Sequence, residues 1–277
     1  MNSIVQLPYI RNGKRWYFLS VFYAKECWAD LIINIMNFYR SRTGLFSSYL
    51  FTFSKERGDH LQVTFASFDE NKDYSNEIQD YFQKYIDYCP SDSMEEFPYG
   101  KVLWCNYPNN SLAWNHFQLP IYSDQYVRFH QQTMRTALKL MGDDFSEETI
   151  FSVGLYLFTK ALGCIDNAKR ETALSKILYE ASTDNSYDRN LIQKTLLGID
   201  SDEVRETIES YVNEDTNEYI LELTEWLKQT GEMLNVAEYN IVCHFICKVL
   251  GLTGVSHIII VELLYKNLTS NTSFIRF

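Results

Sequence analysis

Apolar residues come in short blocks through the first part of the chain and recur every three to four positions after residue 124. Arg15–Phe22 (RWYFLSVF) is aromatic and β-branched, as a strand requires, and Cys27–Tyr39 (CWADLIINIMNFY) has the spacing of an amphipathic helix. Ser47–Phe53 and His60–Ser67 are two further strand-type runs around Ser54–Asp59, whose charge and Gly58 mark a hairpin turn. Asn76–Tyr88 returns to helical spacing and ends before Cys89 and Pro90, where proline disfavours helix in the residue ahead of it. Pro90–Asn110 is rich in Pro, Ser, Asp and Asn and reads as loop, with room for one short strand at Lys101–Cys105.

Helical periodicity then takes over. The pattern predicts helices over Asp124–Leu140 and Ser146–Leu162, with Ser146 as N-cap and Thr149 in the first turn. Further helices are predicted at Ala168–Tyr179, Tyr187–Leu197, Asp202–Tyr211, Asn217–Gly231, Ala237–Leu250 and Ser256–Leu268. The fold class is therefore α+β: a small β-sheet with helices in the N-terminal half and a mainly helical C-terminal half. No repeat or low-complexity linker interrupts the chain, so residues 1–277 read as a single domain.

Composition narrows the function classes. At 46% apolar and 22% charged residues the chain has the make-up of a folded globular protein. Twenty Tyr and eighteen Phe could line a groove for a peptide, yet aromatics also fill cores and Asn and Ile are abundant too. A formal charge of −11 opposes a nucleic-acid surface, which needs clustered cations to displace counterions from phosphates. The first fifteen residues show no basic region followed by an apolar stretch and cleavage site, and apolar runs such as Val255–Leu264 are too short to span a bilayer. The expectation is a cytoplasmic protein without a membrane partner. Six cysteines without a CxxC pair read as reduced and mostly buried.

Dinucleotide, P-loop, hydrolase-elbow and zincin signatures are all missing. Cys243, His244 and Cys247 resemble a metal cluster only superficially. On a helix His244 points about 100° away from Cys243, and no second ligand pair follows, so no metal is expected. Three polar islands stand out instead. His60 and Gln62 alternate with Leu61 and Val63 and share one strand face, either the solvated face of a hairpin or a site. Gln125 and Arg128, near Tyr122 and Tyr126, lie on one side of a helix start, where an ordinary surface arginine is the plainer reading. His244 sits in NIVCHFICKVLGL, where a lone histidine is either a core residue or a functional one.

In this order the islands resemble the elimination-domain family of lantibiotic dehydratases, also found alone as the thiopeptide-type bacteriocin biosynthesis domain. The likeness spans nearly the whole chain: an aromatic strand with Trp16 and Tyr17, a hairpin strand opening with His60 and Leu61, Arg128 on a helix start, and His244 ahead of Leu250 and Gly251. Glutamate-eliminating members carry a His-aliphatic-Arg-aliphatic-Arg strand where this chain has His60, Leu61, Gln62, Val63 and Thr64. The Arg-Tyr that usually ends the preceding strand is here Thr52 and Phe53. The family's Glu-x-x-Arg-Tyr-Gly-Gly becomes Gln125 to Gln131, keeping Arg128 and losing both glycines to His130 and Gln131. The late Asn-Arg pair is replaced by Lys248 and Val249 or nearby residues.

Loss of the arginines removes the bidentate clamp that an activated glutamate ester needs. The same loss marks the thiopeptide pyridine synthases, which join two dehydroalanines of a modified precursor peptide and expel water and the leader. For this chain the resemblance implies no cofactor. It further implies His244, Tyr126 and Tyr122 as proton-moving groups, and His60, Gln62, Gln125 and Arg128 as groups that orient substrate amides. The implied partners are the leader-bearing precursor peptide and other maturation enzymes, a dehydratase and a cyclodehydratase. Two rival readings are a glutamate-eliminating lyase acting on glutamylated Ser/Thr and a non-catalytic peptide-binding scaffold.

Overall fold

The structure, a computed structural model, describes residues 9–92, 107–115, 117, 124–183, 189–213 and 236–270. It is α+β as the pattern predicts, and it divides into two compact units, Met1–Gln131 with Asp143–Phe145, and Gln132–Gly142 with Ser146–Phe277.

The first unit is built on a five-stranded antiparallel sheet of β1 (Tyr9–Arg11), β2 (Lys14–Phe22), β3 (Phe46–Ser54), β4 (His60–Ser67) and β5 (Ser111–Trp114). The main order is β1-β2-β4-β3, and β5 pairs with the Leu19–Phe22 stretch of β2. β1 turns into β2 through Asn12 and Gly13, both at positive φ (53° and 68°), the backbone of a two-residue hairpin turn. Helices α1 (Trp28–Arg40) and α2 (Ser75–Tyr88) pack their apolar stripes on one sheet face. There Phe38 meets Phe46, Phe65 and Phe82 at ring-centroid distances of 5.0–5.6 Å, and Trp28 meets Phe53 at 5.3 Å. Much of the aromatic content of this unit is therefore core.

Helix α3 (Asp124–Met141) starts in the first unit and ends in the second. The second unit is arranged around α4 (Glu147–Gly163), buried at every position from Val153 to Leu162. Ser146 caps it as expected, its Oγ accepting from the Thr149 amide at 3.2 Å. After it come α5 (Asn167–Thr183), α6 (Arg189–Leu197), α7 (Ser201–Asn213), α8 (Val236–Leu250) and α9 (Gly254–Ser270); α7, α8 and α9 pack on α4, α5 packs on α8 and α9, and α6 packs on α9. The chain leaving α4 is tied by Arg170, whose guanidinium donates to the carbonyls of Leu162, Gly163 and Ile165. A cation there answers the negative helix end, and burial lowers its pKa to about 10. The proposed strand at Lys101–Cys105 and helix at Asn217–Gly231 lie outside the described residues.

Candidate functional site

The second face of the sheet carries the polar island of β4. Register places Ser20 of β2 and Thr52 of β3 directly beside Gln62, and Phe22 and Ser54 beside His60, so these side chains share one face. The face is not solvated: His60, Thr52, Ser20 and Thr64 are completely buried and Gln62 nearly so. Burial of amides and hydroxyls demands partners, and Thr52, Gln62 and His60 meet part of that demand in a chain. Thr52 Oγ1 donates to Gln62 Oε1 at 2.9 Å, which turns the Gln62 amide nitrogen toward His60 Nε2 at 3.4 Å. His60 Nδ1 lies 2.8 Å from the Gly58 carbonyl oxygen. A carbonyl only accepts, so Nδ1 carries the proton and Nε2 receives the Gln62 donor, the arrangement of a neutral imidazole. Phe22 lies over the His60 ring at 4.4 Å, and Tyr107 stacks on Phe22 at 4.6 Å.

Position 62 thus holds an amide already spoken for, and position 64 a hydroxyl whose Oγ1 is buried without a hydrogen-bond partner, as is Ser20 Oγ. No cationic side chain stands in the strand row that the eliminase pattern fills with arginine.

The start of α3 contributes differently. Arg128 is exposed, Tyr126 is buried with its ring 6.3 Å from His130, and the side chain of Gln125, like the whole of Tyr122, lies outside the described residues. Where the family pattern has two glycines, His130 and Gln131 reach the free edge of β3: His130 Nε2 lies 3.0 Å from the Phe51 oxygen, and Gln131 Nε2 donates to the Tyr49 oxygen at 3.1 Å. Alternate carbonyls of an edge strand point outward, so residues two apart are met by adjacent helix side chains. Sequence reasoning counted these positions only as lost glycines.

In the second unit His244 is exposed on α8, while Cys243 and Cys247 are buried. It is therefore not the core histidine that an apolar helix suggests. Its ring lies 4.5 Å from that of His257 on α9, at an interplanar angle of 72°. Partial burial lowers the His244 pKa, and the Glu180 carboxylate on α5 works against that shift. Burial pushes the thiols of Cys243 and Cys247 up, the latter to about 12, so neither offers a ready thiolate. No group of three or more His, Cys, Asp or Glu among the described residues is arranged to hold a metal. No helix of the described residues is long and apolar enough to cross a membrane.

His60, Gln62 and Arg128 belong to the first unit and His244 to the second. The sheet brings His60 and Gln62 together with Thr52 and Ser20, a row in which the sequence marks the β4 members as site residues and Thr52 only as a replaced arginine. A separate groove of about 450 Å³ runs between α1 and α2, lined by Tyr23, Cys27, Asp30, Asn34, Tyr85 and Cys89, and contains none of the sequence-chosen residues.

No family model and no curated protein matches the chain. Among solved structures, the pyridine synthase TbtD from thiomuracin biosynthesis matches with a TM-score of 0.64 at 14% identity, covering 93% of this chain and 98% of that one. The two proteins share a fold across nearly their full lengths.

Proposed function

We propose that this chain is a thiopeptide-maturation enzyme that joins two dehydroalanines of a modified precursor peptide in a formal 4+2 cycloaddition. Loss of water and of the leader peptide, released as its amide, then leaves a pyridine-centred macrocycle. The carrying observation is the neutral Ser20–Gln62–Thr52 row, with Thr64 beside it, on a fold shared with a pyridine synthase. An eliminase has to hold a substrate carboxylate, and a buried carboxylate without a charged partner is costly. A cycloaddition needs no such clamp. It needs apolar walls that press two alkenes together and polar groups that orient amides, and it asks for no cation in this row.

In this reading one dehydroalanine amide passes to its iminol form as its nitrogen proton moves to oxygen, and the new ring then expels water and the leader amide. His244, Tyr126 and Tyr122 move protons; Gln62, Gln125 and Arg128 orient amide oxygens, with His60 holding Gln62. No net oxidation or reduction occurs, so no redox cofactor is called for. The precursor is held through its leader, because binding energy from remote parts offsets the entropy of aligning the alkenes.

The test offers two substrates separately, an azole- and dehydroalanine-containing precursor and a glutamylated Ser/Thr peptide, and weighs the products by mass spectrometry. Leader amide plus a core lighter by water supports the synthase. Glutamate release with the leader still attached identifies an eliminase, and binding without conversion a scaffold. His244→Ala should lower turnover about a hundredfold and Tyr126→Phe about tenfold, with peptide binding nearly unchanged. Full turnover in both variants would remove these residue roles.

A further inference from the structure

His257 is an anomaly in its own helix. The residues after it, Ile258, Ile259, Ile260, Val261, Leu263 and Leu264, are all apolar and buried, and His257 is equally buried at 1% exposure. Neither Nδ1 nor Nε2 has a hydrogen-bond partner. Its ring neighbours are Phe158 of α4, at 5.6 Å and 76°, and His244 of α8, at 4.5 Å and 72°. A phenyl or isobutyl group would occupy that place without stranding two polar atoms, an omission that native interiors rarely leave unexplained. Burial, with His244 adding to it, lowers the His257 pKa to about 4, so the ring is neutral at physiological pH.

Among the described residues, the charged groups around the pair are few. α5 presents Glu180, which acts on His244, accepts from Asn240 Nδ2 at 3.3 Å and has Lys176 at 4.0 Å. α8 itself carries Lys248, one turn beyond His244 and lowered in pKa by partial burial. The buried cation of α4, Lys160, has its ammonium over the Tyr156 ring. From α9 the group that faces His244 is His257.

We infer that His257 is a positioning residue for His244: the buried imidazole holds the exposed one edge-to-face and provides a polar neighbour on its inner side, leaving its solvent side for substrate. This rests on the reading of His244 as a proton-moving group. A purely packing role would be served as well by phenylalanine. A positioning role would not, because a phenyl ring keeps the shape and removes the polar neighbour.

The experiment is a titration of the histidine side chains by nitrogen-15 NMR in the full chain, with His244→Gln assigning the His244 signals, repeated in His257→Phe. The expected result pairs two opposite changes. The melting temperature rises, since two stranded nitrogens are gone. The His244 midpoint moves down by about half a pH unit, since its cation loses a polar neighbour. In the turnover assay kcat drops about tenfold at unchanged KM, and the acid limb of its pH profile moves with the NMR midpoint. His257→Leu gives the same readout if the phenyl ring overpacks. A variant whose His244 midpoint and nitrogen shifts equal those of the wild type overturns the pairing. The titration needs no substrate, so a shifted midpoint in a protein that forms no pyridine would sink the proposed reaction and leave the pairing standing.

Discussion

Two buried histidines, one in each unit, are treated in opposite ways. His60 on the sheet is bonded at both ring nitrogens, in a chain running from Thr52 through Gln62 to the Gly58 carbonyl. His257 in the helical unit is equally buried and bonded at neither. The first arrangement fixes a tautomer and an amide orientation. The second keeps an imidazole neutral and uncommitted beside an exposed partner.

Gln62→Arg breaks the comparison most severely. It restores the cation of the eliminase pattern to a row where every neighbour is neutral and buried, so the variant should lose about 3–5 kcal/mol of stability or fail to fold. Thermal and denaturant unfolding check this. An unchanged midpoint would mean that the row opens readily to water, and the contrast with His257 would lose its basis. A melt of the wild type in one transition would also fit the single-domain reading of the sequence, even though the chain divides into two compact units.

The open pair is tested by acid. His257 titrates near 4 in the folded chain against an ordinary value of 6.5, so between those values the unfolded chain binds a proton that the folded one refuses. Stability from this group is complete above pH 6.5 and is lost as pH falls toward 4, about 3 kcal/mol in all. Carboxylates titrate in the same window and cancel when wild type and His257→Phe are compared. The stability advantage of His257→Phe should therefore widen on going from pH 7.5 to 4.5. Parallel stability curves for the two proteins would show that His257 is hydrated in the folded state.

Much of the scaffold was legible because its elements are long and strongly patterned. His60–Ser67 matches β4 end to end, and most other elements agree within a residue or two. The short strands were missed for different reasons. β1 is announced by Asn12-Gly13, a two-residue hairpin signal that composition alone passes over. β5 is four residues long, flanked by Asn110 and Asn115 at positive φ, and its partner on β2 is nearly a hundred residues away, so no local period reveals it. Of the site, the shared face of His60 and Gln62 followed from strand alternation, but its burial and the role of Thr52 depend on cross-strand register. The exposure of His244 was hinted at by the spacing of Ile241, His244 and Lys248, which form the uncovered stripe of α8. His257 carried the same sign, one polar ring in an apolar run, and only the packing of α8 on α9 gives it meaning.

The smallest effect sharpens the comparison most finely. Thr52→Val keeps shape and removes the hydroxyl that donates to Gln62 Oε1. Gln62 is nearly inaccessible, so its oxygen would be left without a donor, and the variant should lose about 1–2 kcal/mol. Gln62→Met, alone, strands the Thr52 hydroxyl, removes the contact to His60 Nε2 and should cost a similar amount. In the double variant both ends of the Thr52–Gln62 bond are gone, and with Gln62 goes the contact to His60 Nε2. At 3.4 Å its bond to Gln62 is long, so its loss should weigh less than that of the 2.9 Å bond. The double variant should accordingly be more stable than the sum of the single losses allows, with a coupling of about 1 kcal/mol between the two positions. Strict additivity would mean that water takes the place of each missing partner, and the sheet row would then be an open, hydrated surface and not a closed chain.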